Sequence, residues 1–201
     1  MSLKYFVHVS SISNLSDARY CSGMMVDSLG YNFDENSNFK ISTDTSNEIS
    51  KWVNGVKFIA EFNNSSTKYI NSILDSGFFD AIELNIENTI KGLNFNHKSI
   101  IVKISDPNKI NYDINDFLSS NFPNVETLII DNLNLKNIEK LEYIDKKYML
   151  IINPYNDFES ILEFLDKYNY GLLLKGSSEI RPGLKDYDSI SNILEKIQDL
   201  S

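Results

Sequence analysis

Eight short runs rich in β-branched and aromatic residues recur along this chain, each followed by a longer amphipathic stretch, and that alternation leaves few architectures open. The runs fall at 5–9, 28–33, 57–62, 81–84, 99–104, 127–130, 148–152 and 171–174, each too short for a helix and bounded by Asn, Asp, Ser or Gly. Helical patterns fill the intervals at 15–23, 43–53, 66–76, 114–121, 135–144, 158–168 and 187–200, with a short one at 87–91. Strand-then-helix units spaced about 24 residues apart predict a single-domain α/β fold, a (β/α)8 TIM barrel spanning 1–201. A doubly wound open sheet is the alternative. It normally places glycines in the first turn, and Val9-Ser10-Ser11-Ile12-Ser13 has none.

Local signals support the helices. Thr45 stands three residues before Glu48, as in a capping box, and Asp157 can cap the helix containing Ile161, Leu162 and Leu165. Ile190, Ile193, Leu194 and Ile197 share one face of the last helix. Gly77 follows the third helix, where a left-handed terminal residue is common.

Charge and composition then exclude several functions. A formal charge of −9 argues against a nucleic-acid surface, which needs clustered cations. Arginine is confined to Arg19 and Arg181, so no multi-arginine phosphate clamp is available. A single cysteine rules out an internal disulfide framework and a multi-thiolate metal site. No secretory leader and no apolar run of membrane-spanning length is evident, so a cytoplasmic protein without a membrane partner is expected. No His, Asp and Glu set shows metal-ligand spacing along the chain, which predicts neither metal nor other cofactor. Only eight glycines occur in 201 residues, and loops that wrap phosphates usually rely on glycine.

Several stretches carry a resemblance. Ser177-Ser178-Glu179-Ile180-Arg181-Pro182-Gly183-Leu184-Lys185-Asp186 resembles the last strand-to-helix loop of the phosphoribosylanthranilate isomerase family. Residues 9–18 are similar to the family's first strand and helix, and 26–33 to its second strand. Ile82-Glu83-Leu84-Asn85 and Leu128-Ile129-Ile130-Asp131 stand where it has Val-Gln-Leu-His and Leu-Leu-Asp. The matches run in order from residue 8 to 186, and the Pro-Gly-x-Lys-Asp element is the most specific. The resemblance implies a barrel and an Amadori rearrangement in tryptophan biosynthesis. In that reaction a Cys at the end of strand 1 takes the C2 proton, and an Asp at the end of strand 6 protonates the ring oxygen.

Departures accompany the matches. The acid position is Asp131, but the base position is Ser10, and an alcohol is a far weaker base than a thiolate. The following glycine is Ser11, and the family's phosphate-binding arginine aligns near Phe39. Its Gly-Gly loop aligns with Asn153-Pro154-Tyr155, and its Gly-rich loop after strand 6 has no counterpart in Asn132-Leu133-Asn134.

In a barrel the polar residues at the C-terminal strand ends are the candidates for a site. His8 and Ser10 share a face; His8 is either a replacement base or a core histidine bonded to a neighbouring strand, and the core role is the plainer. Glu83 and Asn85 form a second same-face pair, with Lys103 placed to neutralise Glu83, either as a polar mouth for ligand or as an ion pair filling an eroded pocket. Asp131 is the strongest candidate for a retained acid, its alternative being a cap in a tight turn beside Asn132. Lys175, Gly176, Ser177 and Arg181 either bind an anion after strand 8 or only shape that loop.

The leading reading is a divergent isomerase-like barrel with an eroded phosphosugar site and little or no isomerase activity, used for binding or for altered small-molecule chemistry. A working isomerase with Ser10 or His8 as base and Asp131 as acid is the alternative, and a non-catalytic interaction scaffold the second. The expected partner is a small phosphorylated or anionic sugar-like ligand, the expected state a monomer or homodimer.

Overall fold

The computed structural model describes residues 3–94, 98–134, 136–153, 165, 167–168, 170–176, 179–181, 184–185 and 188–199, without the side chains of 179–189 and 199. The elements are β1 (Val7–Ser10), α1 (Leu15–Gly23), β2 (Ser28–Asn32), α2 (Thr43–Trp52), β3 (Lys57–Phe62), α3 (Thr67–Ser76), β4 (Ala81–Asn85) and β5 (Ser99–Ile104). They continue with α4 (Ile114–Asn121), β6 (Thr127–Ile130), β7 (Met149–Ile152), β8 (Gly171–Lys175), a small hairpin of β9 (Glu179–Arg181) and β10 (Leu184–Lys185), and α5 (Asp188–Asp199). Strands β1 to β8 pair in parallel in chain order, and β8 closes onto β1 through Val7–Leu172, His8–Leu173 and Ser10–Lys175. The fold is a (β/α)8 barrel, and the eight expected strands lie within two residues of their observed bounds.

Alternation along the strands sorts the core into two parts. Outward positions such as Val9, Tyr31, Phe62, Leu84, Val102 and Ile130 pack under the surrounding elements in the large core. Inward positions Ile59, Ala81, Ile101, Ile129, Ile151 and Leu173 form a separate apolar cluster inside the barrel. Each buried Ile or Leu contributes roughly 1.5–3 kcal/mol. Two residues further along each of these strands the inward residue is polar: Glu61, Glu83, Lys103, Asp131, Asn153 and Lys175. An apolar floor thus carries a polar layer at the C-terminal mouth.

Helix starts follow capping chemistry, with one difference from expectation. Asn14 accepts from the Asp17 amide at 2.9 Å, and Ser66 accepts from the Tyr69 amide at 3.3 Å. Ser42, not Thr45, caps α2, its hydroxyl accepting from the Thr45 amide at 3.1 Å; Thr45 lies in the first turn. The earlier start wins because Ser42 is extended while Thr43 onward is helical. Gly77 is extended (φ −117°) rather than left-handed. It is there for space, because a Cβ would overlap the Phe79 ring. The expected helix at 87–91 is a set of turns, its first residues tied back by Asn85 and Asn88 side chains. The pattern at 135–144 closes as a 3-10 run, Ile138–Tyr143, which buries only Leu141. Asp157 and most of 158–168 lie outside the described residues.

Candidate functional site

A cavity of about 520 Å3 opens at the C-terminal end of the barrel. Ser10, Glu83, Lys103, Asp131 and Lys175 all line it, so the mouth gathers candidates from five strands or strand ends. Asn85 stands at its edge, donating to Asn63 Oδ1 at 2.8 Å, and Asn63 is itself a lining residue. Gly176 donates to the Ser10 carbonyl at 2.8 Å; a Cβ there would come within 2.8 Å of the Ser11 carbonyl, so glycine is required for the close approach. Ser177 and the Arg181 side chain lie outside the described residues.

His8 sits one step deeper and is fully buried. Its Nδ1 is 2.9 Å from Ser28 Oγ, and its Nε2 is 3.3 Å from Glu61 Oε1 and 3.6 Å from Glu83 Oε2. Lys103 Nζ lies 3.5 Å from Glu83 Oε1 and 3.6 Å from Asp131 Oδ2, so one ammonium joins the buried carboxylate to the one at the rim. Asp131 Oδ1 accepts from the Asn132 amide at 3.0 Å and from Asn153 Nδ2 at 2.8 Å. Asp131 therefore serves its turn and faces the cavity at once.

Electrostatics within this layer are strongly coupled. Burial alone would lower the His8 pKa, but Glu61 and Glu83 outweigh it and carry it up to about 9. Burial and the neighbouring Glu83 charge push the Glu61 carboxyl above the usual range. Burial would also raise Glu83, yet Lys103 and His8 together hold it below its ordinary value. The Glu83 charge, against burial, holds Lys103 above the usual lysine range.

Glu61 is the residue that motif reading missed. It is 4% exposed, lines the cavity, and accepts from the Ser11 amide at 3.0 Å through Oε2. Gly30 makes room for it, since a Cβ there would overlap Glu61 Oε1 and lie 3.1 Å from its Cγ. The signal was present: Glu61 follows Ile59 by two in an apolar strand, the argument that selected Glu83. Asp34 was missed as well; its carboxylate accepts from the Asn63 amide (2.7 Å), the Asn64 amide (3.1 Å) and Ser65 Oγ (2.8 Å), tying two rim loops together.

His8, Glu61 and Glu83 also bear on the expectation of no metal. One nitrogen and two carboxylate oxygens, from three strands, lie within 4.8 Å of one another. Spacing along the chain does not reveal such a set, because the barrel and not the sequence interval brings it together.

No family model matches the chain, and no curated protein matches it. Solved structures do. A phosphoribosyl anthranilate isomerase from Thermus thermophilus superposes with a TM-score of 0.74 at 15% identity, covering 98% of this chain and 100% of that one. The N-(5'-phosphoribosyl)anthranilate isomerase of Pyrococcus furiosus gives 0.72 at 16% identity, covering 97% and 99%. The chain shares the (β/α)8 barrel fold of these isomerases. A citrate synthase variant also superposes, with a TM-score of 0.63 at 12% identity over 98% of this chain and 95% of its own, so likeness at this level speaks for architecture. Ser10 ends β1 and Asp131 directly follows β6. No helix among the described residues is long and apolar enough to cross a membrane.

Proposed function

We propose that this chain is a divergent isomerase-fold barrel whose phosphosugar site has eroded, leaving a mouth that binds a small polar ligand and does not turn over N-(5'-phosphoribosyl)anthranilate at a useful rate. The charge inventory of the cavity carries this reading. Five carboxylates, Asp34, Glu35, Glu61, Glu83 and Asp131, face two ammonium groups, Lys103 and Lys175, among the described lining residues. Both cations are engaged: Lys103 with Glu83 and Asp131, and Lys175 over the Phe39 ring at 4.8 Å. Phe39 stands near where the resemblance would place an arginine. Among the described lining residues a phosphate dianion meets more negative charge than positive.

The base supports the same conclusion. His8 lies beneath Ser10 with Nδ1 on Ser28 and Nε2 toward Glu61 and Glu83, and it does not line the cavity. It is a core residue, not a substitute for the missing thiolate. One observation favours a working isomerase: the Glu61 carboxylate reaches the cavity that Asp131 also lines. In that second reading Glu61 takes the C2 proton and Asp131 protonates the ring oxygen. The scaffold reading draws on the exposed Trp52 and Phe78, which are 64% and 86% accessible.

The test is to supply the phosphoribosyl substrate to purified protein and follow the loss of its fluorescence. The eroded-site reading expects the rate of the blank. Turnover that disappears in Asp131→Asn overturns it, and loss in Glu61→Gln as well would assign the base.

A further inference from the structure

We propose that His8, Glu61 and Glu83 form a binding site for a first-row divalent cation of the zinc type. A cation held by Glu61 would take that carboxylate out of the role of isomerase base.

Three buried groups converge here. His8 Nε2 stands 3.3 Å from Glu61 Oε1 and 3.6 Å from Glu83 Oε2, and neither approach has hydrogen-bond geometry. His8 Nε2 and Glu83 Oε2 are buried without any hydrogen-bond partner, which is costly for polar atoms. A tetrahedral ion with bonds of about 2.0–2.2 Å sets its ligand atoms about 3.3–3.6 Å apart. The two separations fall in that interval.

Each ligand is also held from behind, as outer partners hold metal ligands. Ser28 Oγ bonds His8 Nδ1 at 2.9 Å and turns Nε2 inward. The Ser11 amide holds Glu61 Oε2 at 3.0 Å, and Lys103 faces Glu83 Oε1 at 3.5 Å. His8 Nε2 and Glu83 Oε2 are left without a hydrogen bond and converge with Glu61 Oε1, which the Ser11 amide also reaches at 3.3 Å. Charge agrees: a divalent ion neutralises the two carboxylates when the imidazole is neutral, while Lys103 and Asp131 neutralise each other. On binding, the ion takes the place of the Nε2 proton, which leaves to solvent. Glu61 and Glu83 both line the cavity, so the fourth position opens toward it and takes water or an oxygen of a small ligand. A mixed imidazole and carboxylate set suits zinc better than magnesium, which retains several waters.

The test uses tag-free full chain stripped with a chelator and titrated calorimetrically with Zn2+. One ion per chain is expected, with the intense visible absorption of four-coordinate Co2+ on substitution. Glu61→Gln and Glu83→Gln should each weaken binding ~100-fold or more, Ser28→Ala about 10-fold, and His97→Asn not at all. Should the glutamine variants fail to fold, X-ray absorption on the wild-type zinc protein decides: one imidazole with oxygen ligands is expected. Absence of stoichiometric binding, binding unchanged in the folded glutamine variants, or a second imidazole or a sulfur at the ion overturns the proposal.

Discussion

Replacing Gly30 by alanine should damage the polar layer through one contact alone. The new Cβ overlaps Glu61 Oε1 and crowds Cγ at 3.1 Å, so the carboxylate must leave its place. Glu61 is the flexible partner and has the cavity to swing into. In doing so it gives up the Ser11 amide at 3.0 Å and its approach to His8 at 3.3 Å. A hydrogen bond to a charged group contributes about 1.5–3 kcal/mol, and His8 retains Glu83, so the loss should be roughly 2–4 kcal/mol. For a chain of this length that lowers Tm by roughly 5–15 °C. The assay is a double-mutant cycle by urea and thermal unfolding. In a Glu61→Ala background, Gly30→Ala should cost less than about 1 kcal/mol, because the obstructing side chain is gone. An equal loss in both backgrounds refutes the reasoning and makes Gly30 a matter of backbone conformation.

Other outcomes follow from the same layer. In the metal-free chain the His8 pKa is raised from 6.5 to about 9, facing Glu61 and Glu83 with Lys103 and Asp131 beyond. The stabilisation from this pair is full below pH 6.5 and is lost as pH rises through 9, by about 3 kcal/mol, in unfolding titrations that lose this slope in His8→Gln. Lys103→Met strands Glu83 and Asp131 without their shared cation and should cost roughly 3–5 kcal/mol in urea unfolding, about half of it recovered by adding Glu83→Gln. Gly77→Ala drives a Cβ into the Phe79 ring, which is 6% exposed and packed on Phe33, and should cost about 1–3 kcal/mol by the same measurement.

The barrel was legible because its strands obey simple rules. Buried parallel strands such as 99–104 and 149–152 are nearly continuous apolar runs, and their ends are cut by Asn, Asp or Ser. The site was legible only in part. Ser10, Glu83, Lys103 and Asp131 could be placed at one mouth by strand position and face, and the structure gathers them there. Glu61 was hidden because attention to motif order passes over a strand without a motif, although alternation alone identifies it. The converging His8, Glu61 and Glu83 set could not be read from intervals of 53 and 22 residues, since it arises from β1, β3 and β4 closing around one axis. The Thr45 capping box failed for a local reason: Ser42 offers the same hydroxyl one turn earlier.

The central claim is that the barrel mouth has lost its affinity for a phosphoribosyl group. Calorimetric titration with a non-reactive phosphoribosyl analogue of the isomerase substrate tests it most directly. No saturable heat is expected up to millimolar ligand, in the wild-type chain or in Lys175→Ala. Saturable binding with a micromolar Kd that is lost in Lys175→Ala would contradict it and show a working phosphate site at the mouth.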